Sequence, residues 1–224
     1  MVFTLEGNVN TVNITWQTVV VNARPYHHGD LGRALVDAAL AVVRESGVAS
    51  MAMRDLTRHL GVSASAAYRH FPSRDHLVAA VAQRAREDLA VAMLEARGAV
   101  VASGPKSGRA IRRFRAIGRA YVEFAVREPR LFEAAFARCA ARPDRPDDPD
   151  AWGVLVAGIE EMAATGAIPP DHRADAPLIA WSGVHGLATI LTASAAPPDP
   201  EALPPGPGVI DTVCEAIVRS LRTA

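Results

Sequence analysis

Residues Met53 to Phe71 read MRDLTRHLGVSASAAYRHF. Leu56, Leu60 and Val62 are spaced to pack two short helices together, and Gly61 between them can take the positive φ of a tight turn. The stretch predicts a helix-turn-helix: a support helix from Met53 to Leu60, a turn at Gly61-Val62-Ser63, and a second helix from Ala64 to His70. Ser63 can cap that second helix through its hydroxyl. Ala64, Ser65 and Ala66 are small enough for a backbone to approach base edges and thymine methyls in a major groove. Tyr68, Arg69 and His70 at the far end can donate to phosphate oxygens, and Arg74 extends the row. In a helical bundle without a nucleic-acid partner, the same spacing would instead place Tyr68 and Phe71 in the core.

Working outward, Leu31, Leu35, Ala38, Ala39, Val42 and Val43 recur at helical spacing between Asp30, a candidate N-cap, and Gly47, a candidate stop. A fourth helix starts near Arg74 and runs into the nineties. A Gly/Ser/Pro-containing linker then covers Gly98 to Gly108. Beyond it, further helices are predicted over Ile111 to Val126, Pro129 to Ala140, Trp152 to Ala164, Ala176 to Ala195 and Val209 to Leu221. Pro143 to Asp150 and Pro197 to Pro207 read as loops. The fold class is all-α, in three parts: a tail over residues 1–25 with no helical periodicity, expected to be disordered, a helix-turn-helix domain with its connecting helix over 26–97, and a helical domain over 98–224.

The chain has 224 residues, half of them apolar, and its 24 Lys+Arg balance 24 Asp+Glu. No global basic field announces a nucleic-acid partner, so a local patch must meet one, and a weak patch suffices only in a dimer. Five of the seven histidines (His27, His28, His59, His70 and His76) fall in the N-terminal part. Cys139 and Cys214, far apart in apolar settings, fit buried thiols rather than a disulfide scaffold or a metal site. No apolar run is long enough for a membrane span, and the expected location is cytoplasmic. His27, His28 and Asp30 are poorly placed to aim at one metal ion, so no metal or other cofactor is expected. His185 could be a base, a ligand contact or a core histidine. No Ser, Cys or acidic partner stands at a catalytic spacing from it, so no catalytic residue is assigned and the chain reads as no enzyme.

Tyr26-His27-His28-Gly29-Asp30-Leu31, Gly61-Val62-Ser63, Ala67-Tyr68-Arg69-His70-Phe71 and Pro72 through Leu77 together resemble the N-terminal domain of the TetR (tetracycline-repressor-like) family. Tyr121-Val122-Glu123-Phe124-Ala125, Pro129-Arg130-Leu131-Phe132 and Trp181 with His185-Gly186 resemble a WHG-type C-terminal domain of that family. The resemblance implies that Ala64 to His70 is the recognition helix, that Tyr68, His70 and Arg74 contact phosphates, and that Arg54 adds another such contact. Three positions depart from the family pattern: Ala52 stands where a capping Ser or Thr is usual, Thr57 where alanine is preferred, and Leu60 where a small residue is frequent.

The combined expectation is a ligand-responsive transcriptional regulator, a repressor released from a palindromic double-stranded DNA operator by a small, largely apolar effector. The alternative is an all-helical small-molecule-binding protein or enzyme whose helix-turn-helix is only scaffold. DNA contacts are expected from Arg54, Ser63, Ala64, Ser65, Ala66, Tyr68, Arg69, His70 and Arg74. The effector pocket is expected around Gly118, Tyr121, Phe132, Phe136, Trp152, Trp181 and His185, where most aromatic residues fall. Homodimerisation is expected through the last two helices, with Ile217 as an exposed apolar contact.

Overall fold

The computed structural model describes residues 31–137, 150–192 and 208–222. The expected tail and N-cap within Met1 to Asp30, Cys139, and the expected loops before Asp150 and Gly208 lie outside these residues. The described elements are all helical: α1 (Leu31–Ser46), a 3-10 turn (Val48–Ser50), α2 (Met53–Leu60), α3 (Ala64–His70), α4 (Arg74–Gly98), α5 (Lys106–Arg127), α6 (Pro129–Phe136), α7 (Ala151–Ala164), a second 3-10 turn (Pro170–His172), α8 (Ala176–Thr192) and α9 (Val209–Arg222).

α1 buries Leu31, Leu35, Ala39, Leu40, Val42 and Val43 along one stripe and stops at Gly47, whose φ of 77° ends the helical path. α2 starts at Ala52, which offers no side-chain cap, as the sequence implies, and Asp55 in its first turn complements the helix dipole instead. Thr57, buried, turns its hydroxyl to the Arg54 carbonyl at 3.0 Å. Gly61 closes α2 in the left-handed region, with φ 67°. Ser63 then caps α3, its Oγ accepting from the Ala66 N–H at 3.2 Å, and Ser73 caps α4 in the same way.

α4 has 25 residues, about 37 Å at 1.5 Å per residue, and packs on α1 at one end and on α5, α6 and α7 along the rest. One hydrophobic core runs from Leu31 to Leu221 without a break between the two halves. α5 begins at Lys106, two residues before the expected end of the linker, because Pro105 already has the φ that a helix start tolerates. α7 begins at Ala151, with the Asp150 Oδ1 accepting from the Gly153 N–H at 2.6 Å.

Between the halves sits a half-buried ionic hub. Glu161 on α7 accepts from Arg97 of α4 at 2.8 Å and from Arg113 of α5 at 2.9 Å. Burial alone would raise the Glu161 pKa, but the hydrogen bonds and charges of the two arginines outweigh it and hold the carboxyl below its ordinary range. No local pattern foretells this hub, because its members lie 48 and 64 residues apart.

Candidate functional site

Of the seven residues of α3 only Ala67 is buried, and it anchors the helix to the α1–α2 core. Tyr68 is 48% exposed, so the packing that a scaffold-only helix-turn-helix requires is absent, while Phe71 is half-buried against the core. Ser63, Ala64, Ser65, Arg69 and His70 are exposed and Ala66 is half-buried, so the predicted row forms one outward surface. The Ser63 and Ser65 hydroxyls lie 3.1 Å apart. Arg54, on the first turn of α2, is also exposed, and Arg54, Tyr68 and Arg69 make no side-chain hydrogen bond or ion pair among the described residues. Their donors are open to a partner. The His70 ring lies beside Gly32 of α1, where an added Cβ would come within 3.3 Å of Nδ1.

Arg74 plays a part that the local sequence did not reveal. Its Nε donates to the Met51 carbonyl at 2.9 Å and its Nη2 to the Val48 carbonyl at 2.6 Å. The guanidinium therefore ties the α1–α2 connection to the start of α4, across 23 and 26 residues of sequence. Part of its donor set is committed to holding the motif in place.

In the C-terminal half the expected aromatic residues converge into one cluster, of which Phe132, Phe136 and His185 reach the cleft while Tyr121, Trp152 and Trp181 pack beside them. Tyr121 packs edge-on to Phe132 at 5.6 Å, Phe132 lies 5.0 Å from Phe136, and His185 lies 4.8 Å from Phe136. Trp181 stacks on His185 at 4.8 Å, and Trp152 meets Trp181 edge-on at 6.2 Å. The Tyr121 hydroxyl and His185 Nδ1 are 2.8 Å apart. Burial pushes the Tyr121 phenol up, partly offset by a hydrogen bond from Trp181, and burial pushes His185 down, so both are neutral at pH 7. Phe132, Phe136 and His185 form the floor of a cleft of about 770 Å³ between α1, α6 and α8.

Gly118, expected at the pocket, corrects that expectation: it lies apart from this cluster. An added Cβ there would lie 3.2 Å from the Cys214 Sγ and 3.4 Å from Val184, so the glycine lets α5 pack closely on α8 and α9, away from the cleft. Cys214 is buried and its thiol is pushed up to about 11, chiefly by burial. The cleft is also less apolar than composition suggested, because Arg44, Arg130, Glu133 and Thr189 line it as well. Arg44 was missed because it belongs to α1, inside the helix-turn-helix half.

Ile217 is likewise corrected. It is only 8% exposed, packed against Gly183 where α9 crosses α8, and α9 turns its apolar stripe of Cys214, Ile217, Val218 and Leu221 inward. α8 does carry uncovered apolar side chains: Leu178 is 60% exposed, Ile190 70% and Ile179 45%. Among the described residues, no group of three or more His, Cys, Asp or Glu could hold a metal ion, and no helix is long and apolar enough to cross a membrane.

Two family models match side by side: bacterial regulatory proteins of the tetR family over residues 35–81, and the tetracyclin repressor-like C-terminal domain over residues 114–204. A solved protein of unknown function from Rhodococcus sp. RHA1 is 27% identical, with a TM-score of 0.70, covering 90% of this chain and 100% of its own. A bacterial regulatory protein in the tetR family from Rhodococcus RHA1 is 17% identical, with a TM-score of 0.56, over 86% of this chain and 97% of its own. A TetR variant from Acinetobacter baumannii AYE, solved in complex with minocycline, is 16% identical, with a TM-score of 0.57, over 84% of this chain and 91% of its own. No curated protein matches the sequence. The chain has the all-α fold of a TetR-family regulator, with the helix-turn-helix in α2 and α3 and a helical C-terminal domain behind it.

Proposed function

We propose that this protein is a ligand-responsive, DNA-binding transcriptional regulator that acts as a repressor. The observation that carries the proposal is the outward face of α3: small residues at its start, open donors at Tyr68 and Arg69, and only Ala67 buried. Small side chains let α3 sit deep in a major groove, while Tyr68, Arg69, His70 and Arg54 take phosphates and fix the register. Ser63, Ala64, Ser65 and Ala66 meet the base edges, and Arg74 adds a phosphate contact with the donors its backbone partners leave open.

The regulator works as a homodimer through the uncovered face of α8, where Leu178, Ile179 and Ile190 would otherwise meet water. A two-fold dimer sets two α3 helices about 34 Å apart, or a multiple of it, and so reads a palindrome. The effector, with a largely apolar body, sits in the cleft on Phe132, Phe136 and His185, with Tyr121, Trp152 and Trp181 around it. Trp181, His185 and Gly186 on α8 support a WHG-type C-terminal domain. A relative of this fold takes a small molecule, as the minocycline complex illustrates. Release follows if the effector prefers a dimer whose recognition helices are wrongly spaced, which needs a coupling of about 1 to 3 kcal/mol.

Selection of bound sequences from a random duplex pool tests the proposal. The expected result is a palindromic consensus with half-sites about one helical turn apart. A pool that stays random after repeated selection overturns it. Leu178→Glu and Ile190→Glu should yield monomers by light scattering that select nothing, and a monomer with full selectivity would remove the dimer from the account.

A further inference from the structure

We propose that the cleft takes an amphiphilic carboxylic acid, its apolar body on Phe132 and Phe136 and its carboxylate on the guanidinium groups of Arg44 and Arg130. The inference rests on the reading of the cleft as the effector site and adds the chemistry of the effector.

The floor is aromatic, and one side of the cleft is rich in donors. Arg44 is paired with Glu128 at 3.5 Å and Asp88 at 3.7 Å, both longer than the roughly 2.7–2.9 Å of a charge-assisted hydrogen bond, so its N–H groups remain available. Arg130 gives Nη1 to the Arg44 and Glu45 carbonyls at the end of α1, and among the described residues its Nη2 and Nε have no partner. His185 adds a third donor. Its ring and the Tyr121 phenol are both neutral, and the phenol oxygen's other hydrogen-bonding neighbour, the Trp181 indole, can only donate. The phenol proton therefore goes to Nδ1, and the imidazole proton sits on Nε2, on the ring edge away from Tyr121.

Acceptors are fewer. Thr189 and Thr192 already donate their hydroxyl protons to the His185 and Ala188 carbonyls at 2.8 Å. Glu133, one turn after Arg130 on α6, is the single acid of the lining and is exposed. Asp88 and Glu128 share the charge of Arg44 but neither lines the cleft; within the lining two arginines face one exposed carboxylate and a neutral imidazole, which favours an anionic head over an ammonium.

The placement has a consequence for control. Asp88 lies on α4, Glu128 joins α5 to α6, and Arg130 on α6 holds the end of α1. A carboxylate drawn onto Arg44 shares its charge with Asp88 and Glu128 and so weakens the ion pairs that fasten the end of α1 to α4 and to the α5–α6 junction. α2 and α3 pack on α1, so the acid loosens the seat of the recognition helix.

The test uses the full chain and three probes below their micellar concentrations: decanoate, methyl decanoate and decylamine, read by calorimetry and tryptophan fluorescence. Decanoate should bind about tenfold tighter than its ester, since a charge-assisted contact is lost in the ester. Arg44→Gln and Arg130→Gln should abolish that preference while leaving ester binding unchanged, the ester reporting that the cleft is intact. An ester that binds as well as the acid, a tighter amine, binding of none of the three, or an undiminished acid preference in both variants would each overturn the inference. Decanoate should also weaken binding to the selected palindrome. If the chain selects no palindrome yet prefers the acid through these arginines, the regulator reading falls and the ligand assignment stands. If it selects one and shows no acid preference, the reverse holds.

Discussion

The outward face of α3 is built from consecutive residues on one short helix, whereas the cleft takes Arg44 from α1, Phe132 and Phe136 from α6 and His185 from α8, and is backed by Tyr121 of α5 and Trp181 of α8. The first face hangs on one buried anchor, Ala67, and its remaining side chains are mostly exposed and free of structural duty. The second is made of residues that also hold the core, Tyr121 and Phe132 being almost wholly buried. Changes on α3 should therefore alter binding and spare stability, while changes around the cleft should alter both.

Gly118→Trp is the strongest challenge to that division. Its Cβ would already press on Cys214, and an indole between α5, α8 and α9 should destabilise the fold by about 3 kcal/mol. Thermal unfolding checks this. A variant with wild-type stability and only impaired ligand binding would return Gly118 to the pocket and blur the comparison.

Glu161→Gln should cost about 2 kcal/mol, because it leaves Arg97 and Arg113 facing each other without their counter-charge. The pH dependence has a definite sign. The folded carboxyl is held below its ordinary range, so its contribution is complete above that range and disappears as pH falls through the lowered folded value. Denaturant melts from pH 7 downward should show a shallower acid loss in the glutamine variant, and identical slopes would remove the hub from the account.

Tyr121→Phe tests the smaller coupling behind the cleft floor. Without the phenol, His185 Nδ1 loses its partner, at a cost of about 1 kcal/mol. The same variant should bind a cleft probe less well, so one substitution moves both readouts. Ser65→Ala on the exposed face should shift unfolding by less than about 0.5 kcal/mol and yet change which base is preferred in each half-site. A large loss of stability there would show that α3 carries load as the cleft does.

The same contrast explains what could be read from the chain alone. Ser63 as a cap, Gly61 as the left-handed stop and Ala64 to His70 as the second helix were legible because each depends on neighbours within a few residues. The aromatic set of the cleft was legible as composition, but which members meet was not: Gly118 lies on the same helix as Tyr121 and faces Cys214 instead. Arg44 and Glu161 gave no signal and Arg130 stood in a family-like stretch without a role of its own, since each acts on partners in another part of the sequence. Arg74 was recognised for its position at the start of α4, while its bonds to Val48 and Met51 depend on how the connector folds back. Ile217 fits an amphipathic stripe equally well whether its face turns toward a partner or toward α8, and only the crossing at Gly183 decides.

That the face of α3 carries DNA recognition is tested most directly by a fluorescence anisotropy titration. The duplex should carry the palindrome from the selected pool, with a scrambled duplex as control, at several salt concentrations. The protein should prefer the palindrome, its affinity should fall linearly in log–log form with salt, and Tyr68→Ala should weaken binding to both duplexes with unfolding unchanged. Equal affinity for the two duplexes, or a Tyr68→Ala variant that binds as the wild type does, would contradict it.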